Sequence, residues 1–252
     1  MALRDQIENY FIPDWPAPKN VRAISTLRGL SPADNLGGLN GFNLARHVQD
    51  EAVRVEQNRS FLQASLKLKR QPFWLNQTHS TRLLSLPSEE GLYDCDGSYT
   101  QSKDWPCVVM TADCLPILLC NLEGTQVAAV HAGWVGLAGG IVKKAVNKFD
   151  DPTKVLAWLG PAIGPDAFEV GEDVLHAFGV TGAAPSKEFA QVAGKPNKWL
   201  GNLYALARKE LLTLGVTRVF GGSHCTFSDP VNFYSHRRDA KSGRMASLIW
   251  IT

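Results

Sequence analysis

Apolar positions along the chain recur with two different periods, and each change of period marks an element. Residues 18–30 read as a strand that runs into a glycine-rich segment, DNLGGLNGFN, ending near Asn43. From about Asp50, the residues Val53, Val55, Phe61, Leu62 and Leu66 fall at helical spacing and predict an amphipathic helix to about Lys69. PFWLNQTHSTRLLSL (72–86) predicts one or two strands, broken at His79–Ser80. CVVMTA (107–112) predicts a short buried strand, and the two apolar runs flanking NLEG (121–124) predict a hairpin. Gly133 to about Phe149 has helical spacing through Leu137, Ile141, Val142, Ala145 and Val146. VLAWLG (155–160) predicts another buried strand, stopped by PAIGP. Residues 169–178 and 199–214 predict helices, 217–221 and 246–251 closing strands, and 186–198 a loop.

Strands and helices alternate too irregularly for a regular βαβ array, so the pattern predicts a single α+β domain over 1–252. With 252 residues and 44% hydrophobic content, the chain has ample material for a core. Lys and Arg number 26 against 24 Asp and Glu, a net charge of +2, which gives no electrostatic reason to expect nucleic acid or a membrane surface. No apolar stretch reaches the ~18 residues of a membrane span. The first residues, MALRDQIENYFIPDW, carry acids where a secretion signal needs an apolar run. The five cysteines are expected to be reduced thiols in a cytoplasmic protein. The motifs CxxC, GxxxxGK[ST], GxSxG, HExxH and GxGxxG do not occur, which removes the P-loop, Rossmann, α/β-hydrolase and zincin classes.

Candidate chemistry comes from the hairpin. If NLEG is its loop, Cys120 faces Thr125 and Cys114 stands directly across from His131. Moving the turn by one residue sets them one diagonal apart but still on one face, because side chains alternate with period two. Such a pair suits two ligands of one metal, or a thiolate beside its general base. His79 also ends an apolar strand, and His79, Cys114 and His131 together leave one tetrahedral position open, as a catalytic zinc requires. Asp113 points away from Cys114 on a regular strand and is expected to act as a partner of a histidine or, like Asp96, as a proton carrier. His47 and His176 fall in predicted helices and read as surface residues. Arg237, Arg238 and Arg244 read as a solvated basic stretch that could hold an anion.

LNQTHS, MTADCLPILLCN, VAAVHAGWVGL, LAWLGPAIGPDAFEVG and SHRRD with GRMASLIW resemble the motifs of one bacterial family, from about residue 20 to the end. That family is known as laccase-like multicopper polyphenol oxidases, as peptidoglycan editing factors, and as purine nucleoside phosphorylases with adenosine deaminase activity. The resemblance implies mixed β-sheets flanked by helices, distantly like the Cys-His toxin deamidases. It implies a zinc site at His79, Cys114 and His131, and substrate binding by Asn43 and Arg59, with Arg237 a further anion donor. The partners implied are a nucleoside and phosphate. Three departures stand out: the family's glycine loop is shortened to STLRGLS with Arg28 displaced, the arginine after HAGW is Val135, and an aromatic position before the Arg pair is His236. A Cys-His amidase and a non-enzymatic partner module are the rival expectations. Copper is disfavoured, because six histidines without an HxH pair are too few for a trinuclear cluster.

Overall fold

Continuous apolar runs such as CVVMT and VLAWL must be covered on both faces, unlike strands that alternate apolar and polar residues. In the computed structural model, which describes residues 9–29, 39, 41–89, 91, 93–181 and 186–252, two sheets stacked face to face provide that cover. In chain order the strands are β1 (Tyr10–Phe11), β2 (Val21–Thr26), β3 (Leu84–Leu86), β4 (Gly97–Thr100), β5 (Cys107–Thr111), β6 (Leu115–Asn121), β7 (Val127–Ala132), β8 (Val155–Leu159), β9 (Glu169–Val170), β10 (Phe189–Gln191), β11 (Trp199–Gly201), β12 (Arg218–Gly221) and β13 (Met245–Ile251). The helices are α1 (Ala52–Ser65), α2 (Trp134–Ala138), α3 (Ile141–Val146), α4 (Glu172–Ala177) and α5 (Leu203–Thr213).

A six-stranded mixed sheet runs in the order β12-β8-β6-β7-β4-β3, and a four-stranded antiparallel sheet in the order β1-β2-β13-β5. A small third sheet is β10-β11-β9. Ile117, Leu119, Val130 and Ala157 on one face of the six-stranded sheet pack under α2–α5. Their neighbours Leu118, Cys120, Ala129 and Trp158 point the other way, onto Val109 and Ile249 of the four-stranded sheet. The outer face of that sheet, with Ile24, Val108 and Leu248, is closed by Phe42 and Leu44, which precede α1, and by Leu62 on α1 itself. The result is the expected α+β class: mixed sheets with helices on both outer sides.

Several local expectations change. The helix read over 133–149 is two, because Gly139 and Gly140 interrupt it and Gly140 takes φ +84°, a left-handed conformation open to glycine. Residues 169–170 and 199–201, read as helix, pair as β9 and β11 instead, and α5 starts only after the Asn202 side chain accepts from Ala205 N. The expected loop 186–198 contains β10. Between 72 and 83 the chain makes a single bridge, Asn76 to Asp94, and no strand before β3. Residues 34–38 and 40 of the glycine-rich segment lie outside the described residues. No helix of the described residues is long and apolar enough to cross a membrane.

The hairpin adopts the shifted register. Cys120 pairs with Val127 and Pro116 with His131, so Cys114 lies a diagonal away from His131 rather than directly opposite. The cause is Asn121: its Oδ1 accepts from Thr125 N and Gln126 N, and its Nδ2 donates to Thr125 Oγ1, which moves the loop to 122–125.

Cys107 and Cys120 are both fully buried between the two sheets, and burial pushes each thiol up to about 12. Neither is expected to react with iodoacetamide at pH 8 in the folded chain, and both should label after denaturation. Peptide mass spectrometry after a timed pulse checks this, and native labelling of either residue would contradict the packing of the two sheets.

Candidate metal centre

Three separate segments deliver His79, Cys114 and His131: the 72–83 crossing, the turn from β5 to β6, and the end of β7. Their candidate ligand atoms all lie within 4.8 Å of one another. The two imidazoles meet edge to face with centroids 4.9 Å apart, and Cys114 Sγ is 3.7 Å from His79 Nε2. His79 is exposed, Cys114 partly exposed and His131 buried, so the cluster opens on solvent from one side. The crossing is stitched to β5 by Gln77, whose amide donates to Met110 O at 2.8 Å and accepts from Met110 N at 2.7 Å.

Behind the cluster sits Asp96, wholly buried just before β4. Its carboxylate accepts from His131 Nδ1 at 2.7 Å, from the backbone N–H groups of Thr78, His79 and Ser80, and from Ser80 Oγ at 2.7 Å. His79 takes φ +59°, which is uncommon for a side-chain-bearing residue and turns three successive N–H groups onto one anion. One carboxylate therefore fixes the His131 ring and the backbone of His79 together. Burial pushes Asp96 up, but the bonds from His131 and Ser80 prevail and hold it down at about 2. With Nδ1–H committed to Asp96, His131 presents Nε2 toward the cluster, the arrangement that orients a metal-binding imidazole.

The same geometry polarises Cys114. Burial raises its thiol, yet the His131 charge and hydrogen bonds from His131 and His79 bring it down to about 6. Burial lowers His131, and the Cys114 and Asp96 charges outweigh that and raise it to about 9. Space for an ion is kept by Gly133: a Cβ there would lie 2.9 Å from Cys114 Sγ and 2.9 Å from His79 Cδ2. A soft thiolate, two imidazoles, a buried partner behind one of them and a residue without a side chain facing them fit a zinc ion of the open, three-ligand kind.

A family profile described as multi-copper polyphenol oxidoreductase laccase matches residues 25–252. The chain belongs to this family. Similar members of known sequence include "Purine nucleoside phosphorylase" of Haemophilus influenzae, 44% identical over 94% of this chain and 97% of its own, and "Purine nucleoside phosphorylase YfiH" of Escherichia coli, 45% identical over 95% and 98%. A crystal structure of a Neisseria meningitidis protein superposes with a TM-score of 0.86 at 43% identity, covering 96% of this chain and 99% of that one. Despite the copper in the laccase family's description, His79–Cys114–His131 is the one group of three or more potential metal ligands among the described residues.

The remaining candidates fall elsewhere. Asp113 is no partner of a histidine: φ +90° turns its carboxylate toward Thr226 Oγ1 at 2.6 Å and Arg237 N at 2.6 Å, where it ties the C-terminal loops to the β5–β6 turn. Asn43 is buried, and its amide bonds Ala45, Asp50 and Arg244 N, leaving it no free group to offer a ligand. Arg237 lies against Phe168 and donates to Glu169 O. Arg59 fares better: it stacks 4.1 Å over Trp74 and lines a cavity of about 1030 Å³ that reaches Asn76 and Met110, next to the crossing that carries His79. Asp96, read only as a proton carrier, is the histidine partner, and no local signal marked it: it directly precedes β4 and meets His131 only because β4 pairs with β7. His47, read as a surface residue in a helix, is exposed on the 3-10 turn Arg46–Val48, and Arg244 is half-buried and donates to Ser242 O and Gly243 O. Val135 is 42% exposed on α2, just beyond Gly133.

Asp96→Asn should weaken zinc about ten- to a hundredfold in a chelator-competition titration, because an amide cannot accept from five donors. It should also remove pH-dependent stability. The folded Asp96 sits at about 2, below the ~3.9 of an unfolded Asp, so its contribution is fully present above about pH 4 and is lost as pH falls through about 2. Urea midpoints of native and variant protein should therefore converge toward pH 2, and midpoints that stay parallel would refute the assignment. Gly133→Ala should weaken zinc at least tenfold while the urea midpoint stays near native, since φ −60° suits alanine. Native zinc affinity in that variant would show that the cluster does not hold the ion.

Proposed function

We propose that the chain is a zinc-dependent purine nucleoside phosphorylase that also deaminates adenosine, working in the cytoplasm. The observation that carries this reading is the His79–Cys114–His131 cluster, backed by Asp96 and set beside a cationic cavity, in a chain whose relatives bear the phosphorylase name. Five free cysteines support a reducing compartment. In phosphorolysis an oxygen of hydrogen phosphate bonds to ribose C1′ as the bond from C1′ to the purine nitrogen breaks, and the phosphate's proton passes to the departing base. His79, Cys114 and His131 would hold the zinc, which would supply Lewis acidity for this reaction and for deamination. Asp96 keeps His131 in one tautomer, Gly133 keeps the cluster open, and Arg59, stacked on Trp74, offers positive charge to the anion. Both carboxylates that the sequence offered as proton carriers, Asp96 and Asp113, are committed to hydrogen bonds within the fold.

A second reading has its own support. A Cys114 held near 6 beside a His131 held near 9, with Asp96 behind it, is also a thiolate–imidazolium pair with an orienting acid. In that form the chain would be a metal-free amidase, acting on an amide such as a peptidoglycan precursor carrying L-Ser.

Metal analysis of chelator-free protein, coupled to adenosine and inosine turnover with and without phosphate, separates the two. The phosphorylase reading expects about one zinc per chain, lost in Cys114→Ala and His79→Ala without unfolding, and phosphate-dependent release of base that disappears with the zinc. Stoichiometric copper, or nucleoside turnover indifferent to zinc removal, would overturn it. Amide hydrolysis by zinc-free protein, abolished in Cys114→Ala, would establish the second.

A further inference from the structure

Two of the three ligand pairs in the metal centre are tied directly through the fold. Asp96 joins the His79 backbone to the His131 ring, and the pairing of Leu115 with Ala132 brings Cys114 beside His131. The third pair, His79 and Cys114, lies on two segments that no strand pairing joins among the described residues. A tetrahedral zinc with Zn–S of about 2.3 Å and Zn–N of about 2.0 Å needs its sulfur and nitrogen roughly 3.6 Å apart. Cys114 Sγ and His79 Nε2 stand 3.7 Å apart.

The tie between these two ligands runs through β5. That strand is the last of the four-stranded sheet and pairs with β13 alone, so its outer edge presents backbone N–H and C=O groups that need partners. At the buried Met110 one side chain supplies both partners. Gln77 Nε2 donates to Met110 O at 2.8 Å, and Gln77 Oε1 accepts from Met110 N at 2.7 Å, the two bonds that a residue of a neighbouring strand would make. Among the described residues no other hydrogen bond joins the 72–83 crossing to β5 or to the β5–β6 turn, apart from the Cys114–His79 contact itself. Gln77 stands two residues before His79, and Met110 four residues before Cys114, so the path from ligand to ligand is short.

We infer that Gln77 is a positioning residue: its clamp on Met110 sets the separation of His79 from Cys114, and with it the affinity and geometry of the bound metal. The inference rests on the zinc of the phosphorylase reading and deepens it. Ligands must be held within about 0.5 Å of their working geometry, which a single unclamped crossing does not ensure. A glutamine suits the task because its amide carries a donor and an acceptor on one planar group. Asparagine has the same amide on a shorter stem, so it either draws the crossing toward β5 or leaves the bonds unmade. Methionine fills similar space and makes neither bond.

The test is a chelator-competition titration of zinc, with the absorption spectrum of the cobalt(II)-substituted protein as a second readout. Gln77→Met and Gln77→Asn should each weaken zinc at least tenfold, and the bands of four-coordinate cobalt should shift and lose intensity as His79 leaves its place. Asn76→Ala removes the neighbouring bond from Asn76 Nδ2 to Asp94 Oδ1 on the same crossing. That control should change zinc affinity less than twofold and keep the native cobalt spectrum. Should Gln77→Met fail to fold, Gln77→Asn carries the test. A loss of less than tenfold in the folded Gln77 variants, a native cobalt spectrum in them, or equal weakening in Asn76→Ala overturns the role. A merely structural clamp would lower the urea midpoint and leave affinity and spectrum as they are. Zinc binding that responds to the Gln77 variants in a protein that cleaves no nucleoside keeps the role and overturns the phosphorylase reading. Zinc- and phosphate-dependent inosine cleavage, with native zinc affinity in both Gln77 variants, does the reverse.

Discussion

The Asp96 carboxylate is the interaction on which the candidate site depends. It is a buried anion, and a buried anion is tolerated only where donors surround it. Here the donors come from two places at once: the His131 ring on the central hairpin and the Thr78–Ser80 backbone on the crossing. Satisfying Asp96 therefore sets the spacing of the two histidines, with the left-handed turn at His79 as the conformation that lets three N–H groups converge. Cys114 arrives independently, on the β5–β6 turn that Asp113 anchors through Thr226 and Arg237. The two aspartates thus divide the scaffolding between them, one for each side of the cluster.

The layered architecture explains why chemistry gathers at this end of the molecule. The six-stranded sheet is dry on both faces, under helices on one side and against the four-stranded sheet on the other. Side chains can reach solvent where strands end, and the cluster lies where β5 gives way to β6 and β7 gives way to α2. Gly133 stands at the second of these junctions as the cap of α2, so one position both ends the strand and leaves the ligands uncovered.

Much of this could be read from the chain. The hairpin was visible as two apolar runs around NLEG, and period-two alternation placed Cys114 and His131 on a common face in either register. The class of fold followed from mixed spacing. The choice of register was not legible, because it turned on one asparagine folding its side chain over the loop. Nor was the role of Asp96, since a carboxylate separated from His131 by thirty-five positions meets it only through the pairing of β4 with β7. Asp113 misled because its backbone leaves the strand conformation that the expectation assumed. Asn43 and Arg59 came through resemblance alone, and the hydrogen bonds that occupy Asn43 belong to tertiary structure that no local pattern displays.

The ionisation of the buried trio bears on which ion belongs there. Without an ion, the Cys114 thiolate, the Asp96 carboxylate and the His131 imidazolium sum to one negative charge. Coordination requires His131 to give up its proton at Nε2, which would leave two negative charges on the protein side. A divalent cation would bring that set to neutrality, whereas a monovalent one such as Cu(I) would leave one negative charge uncompensated beside the buried His131. Charge balance at the cluster would thus favour a divalent ion, through Asp96, a carboxylate that stands behind His131 and outside the ligand set.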